Sequence, residues 1–180
     1  MTRANIDMGK VLIGALAITV GVSCSGPRRP AKPPARAAVS LVNRFVAADM
    51  RGSSDSALGM LKGCDVSPSA DFLEPTIEAR ILGATPTDST VRVAVRYVVL
   101  GRLFDTGRNE VRWQFTPGVQ ADTITYTVVQ DSSKQLWIKC GYYPPNHADV
   151  SAMEQHIVKE MDGTTRGQWT AALAAAGRLR

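Results

Sequence analysis

The sequence predicts an α+β domain in which N-terminal helices pack on an antiparallel sheet of about five strands, followed by a C-terminal helix. Two observations predict it. Apolar residues recur at spacings of three and four near Ala38 and again after Asp149, while between Ile77 and Cys140 they alternate with polar ones. One stretch of 180 residues suffices for a single core of this kind.

The first helix is read from Val39, Val42, Phe45, Val46 and Met50, which form one stripe that ends near Gly52. A shorter helix follows. Ser53 or Ser54 caps it, Asp55 suits its first turn, Leu58 and Leu61 face inward, and Gly63 stops it. The first strand is the alternation of Ile77, Ala79 and Ile81 with Glu78 and Arg80. After a turn at Thr85-Pro86-Thr87-Asp88, the second carries Val91, Val93, Val95, Tyr97 and Val99. Val111, Trp113 and Phe115 define a third strand, Ile124, Tyr126 and Val128 a fourth, and Leu136 to Cys140 a fifth. Asp131-Ser132-Ser133-Lys134 is the hairpin loop between the last two. Gly101 and Gly107 mark a bend or bulge between the second and third. Asp149 to Met161 returns to helical spacing, with Ser151 and Glu154 as a capping box. The chain then ends in a weakly anchored tail with an alanine-rich helical pattern.

Residues 1–23 read as a signal peptide, 24–37 as a lipidated Pro/Arg-rich tether, 38–162 as the globular domain and 163–180 as the tail. Val11 to Val22 is uncharged and follows Lys10, and its 12 residues match a secretory apolar region better than the roughly 20 of a membrane span. Met8 offers a more compact basic start than Met1. Ser25 to Pro34 has four prolines in ten residues and reads as an extended spacer, whose basic residues could also touch anionic headgroups.

Charge excludes one class of partner. The formal net charge is +5, with 21 basic and 16 acidic residues. Beyond residue 36 the count is 15 against 15, so the folded part has no basic field for nucleic acid. Among the cysteines, Cys64 and Cys140 remain as a pair once Cys24 is set aside. In an oxidising compartment a disulfide is expected, the alternative being two buried free thiols. Neither thiol has a His or second Cys at metal-ligand spacing, so no metal and no cofactor is expected.

Ser23 and Cys24 after the apolar run resemble a bacterial lipoprotein signal, in which the cysteine becomes the acylated N-terminus. Gly21 departs from the usual leucine. The resemblance implies membrane attachment through Cys24 and a cell-envelope location facing the periplasm or exterior. A plain cleaved signal or a short uncleaved anchor is the alternative. Beyond it, the order of elements with the AVSLVNRFVAADMRG and QLWIKC segments resembles the nuclear-transport-factor-two-like superfamily over about residues 38–143. That likeness implies a curved, cone-like sheet around a long helix. It also raises three functional expectations: a protein that binds an unknown protein or small apolar ligand, an isomerase- or dehydratase-like enzyme, or a membrane-anchored subunit of a secretion-type assembly.

Catalysis in such a cone needs a base raised by burial and a nearby donor. Tyr97 and Tyr126 are inward by alternation, with a satisfied core tyrosine as the plainer reading. Asp122 reads as a turn residue before a strand, and His147 and His156 as loop and helix-surface residues. No GxSxG, P-loop, SxxK or dinucleotide fingerprint occurs. The expected cavity lining is Phe45, Val95, Tyr97, Trp113 and Tyr126, without a catalytic residue. The tryptophans, with Tyr142, Tyr143 and Arg112, read as half-buried packing rather than a recognition surface.

Overall fold

The computed structural model describes residues 32–52, 54–64, 72–107, 113–140 and 147–178. The signal-like segment, Cys24, most of the tether, Val111, Tyr142 and Tyr143 lie outside them. No described helix is long and apolar enough to cross a membrane.

The fold is α+β. Helix α1 (Ala35–Met50) forms from the apolar stripe the sequence displays, burying Ala38, Leu41, Val42, Phe45, Val46, Ala48 and Asp49. It stops where Gly52 takes a φ of 68° and donates its N–H to the Asp49 carbonyl at 2.8 Å, closing the last turn as glycine does best. Helix α2 (Ser54–Leu58) is shorter than expected. Leu61 is not on it: Leu61–Lys62 form a short strand, β1, because their backbone finds partners on the last strand of the meander.

The meander comprises β2 (Glu74–Pro86), β3 (Thr90–Asp105), β4 (Trp113–Gln130) and β5 (Leu136–Lys139), joined antiparallel. The third and fourth expected strands are one. Thr116 to Thr123 looks like a connection in sequence, yet it stays paired with β3 across a bulge at Gly101, so β4 runs unbroken. Gly101 has a φ of 147°, and a β carbon there would collide with the Thr116 carbonyl, so no other residue fits. A three-residue strand, β6 (His147–Asp149), adds parallel to the start of β2. The sheet therefore has six strands in the order β1-β5-β4-β3-β2-β6, with both outer strands parallel to their neighbours rather than antiparallel as expected.

Both faces of this sheet are buried, at different ends. Val91, Val93, Val95, Tyr97 and Val99 of β3 join α1 in a first core, with Val128 and Ile138. Val98 and Leu100 point the other way into a second core with Leu103 and Phe115. Leu103 would fall on the first face in a regular strand, and the bulge at Gly101 resets the alternation. Helix α3 (Val150–His156) and helix α4 (Gly163–Ala176) cover that second face. The capping residue of α3 is Asp149, which accepts from the N–H groups of Ser151 and Ala152, and not the Ser151/Glu154 box. Helix α4 is no loose tail. Trp169 is 1% exposed and meets Phe115 edge-on at 5.2 Å, so residues 163–176 complete the second core.

Candidate functional site

The most unusual chemistry in the molecule is a buried acid–imidazole pair between the end of α1 and β6. Asp49 sits on the α1 stripe, seven residues after Val42 and four after Phe45, so helical geometry carries its carboxylate into the first core. Both carboxylate oxygens meet one residue. Oδ1 accepts the backbone N–H of His147 at 3.2 Å, and Oδ2 lies 2.8 Å from its ring Nδ1. Asp49 is 3% exposed and His147 6%, so neither charge nor hydrogen-bonding capacity could be left unmet at tolerable cost.

Carboxylates flank both ring nitrogens of His147: Nδ1 faces Asp49 Oδ2 at 2.8 Å and Nε2 faces Glu74 Oε2 at 3.6 Å. The parallel pairing of β6 with β2 sets this contact, because it places Glu74 and His147 in register. Tyr97 lies flat against the imidazole, with ring centroids 4.0 Å apart and an 11° angle between planes. Its hydroxyl shares a 2.8 Å hydrogen bond with that of Tyr126, whose ring meets Phe45 edge-on at 5.2 Å.

Burial pushes the Tyr97 hydroxyl far above the ordinary tyrosine range, and the Tyr126 hydroxyl and the Asp49 charge add to it. Tyr126 is raised too, by burial first; its bond to Tyr97 opposes this, and the Asp49 charge adds a smaller upward push. Both phenols are therefore neutral at any physiological pH, one donating to the other. That is a satisfied core pair rather than a poised proton donor.

The structure brings Phe45 of α1 together with Val95, Tyr97 and Tyr126 of the sheet. Trp113 is not among them. It borders the second core on the opposite face, where its Nε1 donates to Glu160 Oε2 at 3.1 Å, because on the unbroken β4 it stands an odd number of residues before Tyr126 and alternation turns the two to opposite sides. Two other assignments change. Asp122 is an exposed mid-strand residue opposite Tyr97, not a turn residue, and His147 is a buried strand residue, not a loop one. His156 is exposed on α3, as expected of a helix-surface residue.

Cys64 and Cys140 form the disulfide that their even count suggested, with Cα atoms 5.2 Å apart. It fastens the chain just beyond β1 to the end of β5. Near the same end a groove of about 400 Å³ opens between the first half of α1 and the β4–β5 hairpin, lined by Leu41, Arg44, Met60, Gln135, Leu136 and Trp137 among others. No group of His, Cys, Asp and Glu among the described residues is arranged to hold a metal ion.

The Asp49–His147 pair escaped the sequence reading, although half of its signal is visible. An aspartate at the i+7 position of a stripe containing Val42, Phe45 and Val46 is a buried charge in need of a partner. Nothing local identifies that partner, which lies 98 residues on. No family model, curated protein or solved structure matches this chain.

Proposed function

We propose that the chain is an exported, lipid-anchored envelope protein whose domain serves binding or interaction rather than catalysis. The observation that carries the reading is the Cys64–Cys140 bridge, because disulfides persist in oxidising compartments and an apolar run ending at Ser23-Cys24 precedes the domain. The helix-on-sheet arrangement of α1 against β3, β4 and β5 also supports membership of the nuclear-transport-factor-two-like class.

A Cys24→Ser substitution tests the anchor. The variant is expected to leave the membrane fraction or to accumulate as uncleaved precursor. Wild-type processing and membrane association in the variant would remove the lipid anchor from the proposal.

An enzyme of isomerase or dehydratase type is the second reading, and the acid–imidazole pair against Tyr97 favours it. The weight against it is accessibility. Asp49, His147 and Tyr97 are sealed in packed core, and the groove lies elsewhere. A reacting group must reach its base within hydrogen-bonding distance. Soaking with a histidine-selective acylating reagent separates the two: modification of His147 in the folded protein at a rate comparable with His156 would favour the enzyme.

A further inference from the structure

Strand β4 has two sides, and along most of one lies no described strand. On the first it pairs with β3 along its length. On the second, β5 pairs with Val128 to Gln130, and no described strand pairs with Trp113 to Thr127. Such a row of unpaired N–H and C=O groups is a template for another strand unless something blunts it.

The opposite edge of the sheet shows what blunting looks like in this molecule. Beyond its short pairing with β6, β2 carries Glu78 and Arg80 as charges, register shifts at Ile77 and Leu82, and Pro86 at its end. Gln120 to Thr127 has almost none of this. It pairs with β3 one to one without a shift, contains no proline or glycine, and carries Asp122 as its sole charge. Gln120 to Thr125 are all exposed. Thr123, Ile124, Thr125, Tyr126 and Thr127 are residues that favour strands.

We infer that this edge pairs, antiparallel, with the same edge of a second copy of the chain. Self-pairing follows from where the side chains fall. Ile124, one of two large apolar residues that are exposed among the described residues, lies at the middle of Ala121 to Thr127. A two-fold axis through it sets Ile124 against Ile124, Thr123 against Thr125 and Asp122 against Tyr126. No like charges are then opposed, and the seven residues Ala121 to Thr127 on each chain extend over about 24 Å at roughly 3.4 Å per residue. A charged partner strand finds Asp122 as its sole complement here, whereas an identical one finds its own apolar centre. The inference goes beyond the proposal above and does not depend on the anchor.

Sedimentation equilibrium of the full chain in mild detergent is expected to show a reversible dimer in the micromolar range. Ile124→Lys opposes two ammonium groups across the axis and is expected to weaken the dimer by roughly tenfold or more. Because Ile124 is 36% exposed, that variant should keep the wild-type unfolding midpoint, which checks that it folds. Ile124→Cys is expected to form a covalent dimer that reductant reverses, while Leu82→Cys on the other edge is not. A monomeric wild type, a dimer indifferent to Ile124→Lys, or equal cross-linking at the two cysteine positions would each overturn the inference.

Discussion

The two cores of this domain lie on opposite faces of one sheet and are held by different kinds of interaction. Under α1 the first core contains a carboxylate, an imidazole and two phenols, and the Cys64–Cys140 bridge fastens its margin. Under α4 the second is apolar and centred on Trp169, with hydrogen bonds at its rim from Trp113 to Glu160 and from Trp169 to Glu154. The difference lies in what each must specify. Helix α4 follows α3 after a short turn, so burial of its own stripe is enough to seat it. Strand β6 lies almost a hundred residues beyond α1, and apolar packing alone would allow it to slide. A two-point clamp from Asp49 to the backbone and ring of one residue fixes its position as a nonpolar contact cannot.

The largest effects should therefore come from one residue in each core and differ in kind. Trp169→Ala removes the centre of the second core and should cost about 3–5 kcal/mol, as large-to-small changes of buried aromatics do. Asp49→Ala should cost a similar amount, about 3–5 kcal/mol, because it leaves the imidazole buried without its partner. The kinds separate in a double-mutant cycle. His147→Ala added to Asp49→Ala should cost much less than the sum of the singles, whereas Trp169→Ala with Asp49→Ala should be close to additive. Urea unfolding measures both. Additivity of the Asp49 and His147 changes would mean that the clamp does not join α1 to β6.

This contrast also explains what could be read from the sequence. The α+β class, the first helix, the β2–β3 turn and the β4–β5 loop all follow from periodicity and turn residues, which are local. So does the disulfide, since two cysteines leave one pairing. Apart from the cap of α3, where Asp149 replaces the Ser151/Glu154 box, the errors are nonlocal. Leu61 becomes a strand because β5 supplies its partner, β4 stays whole because β3 runs alongside it, and Trp113 faces away from Tyr126 because both stand on that one strand, an odd number of residues apart. The candidate site is the extreme case. Asp49 declared itself by its place on the stripe, but His147 follows two prolines and a short polar stretch that look like any loop.

Reducing the bridge should have an intermediate effect confined to the α1 side. Cys64→Ser with Cys140→Ser opens a loop spanning a sequence separation of 76. A cost of about 2–4 kcal/mol is expected for a bridge of this span. Hydrogen exchange should speed up at Leu61, Lys62 and β5 while α4 keeps its protection. Equal loss of protection under α4 would show that the two cores unfold as one unit and would erase the distinction drawn above.

The smallest effect is electrostatic, and each face offers a test of it. In the β4–β5 loop, Asp131 Oδ1 accepts from the Ser133 hydroxyl at 2.6 Å and from the N–H groups of Ser133 and Gln135 at 3.0 Å, and Oδ2 accepts from Trp137 Nε1 at 2.8 Å. These bonds, the Ser133 and Trp137 side chains first, lower its pKa from 3.8 to about 2. On the other face Asp162 caps α4, and the bond from the Thr165 N–H holds its carboxyl below the usual range as well. A pKa depressed in the folded state means that the unfolded chain takes up protons first as pH falls. The stabilisation is complete above the unfolded value of 3.8 and disappears as pH drops through the folded value near 2. Asp131→Asn should therefore flatten the fall in unfolding midpoint between about pH 4 and pH 2, with Asp162→Asn flattening it less, because Asp162 is held by fewer donors. Thermal melts of the two variants and the wild type across that window decide the matter. Identical slopes in all three would place the acid sensitivity elsewhere.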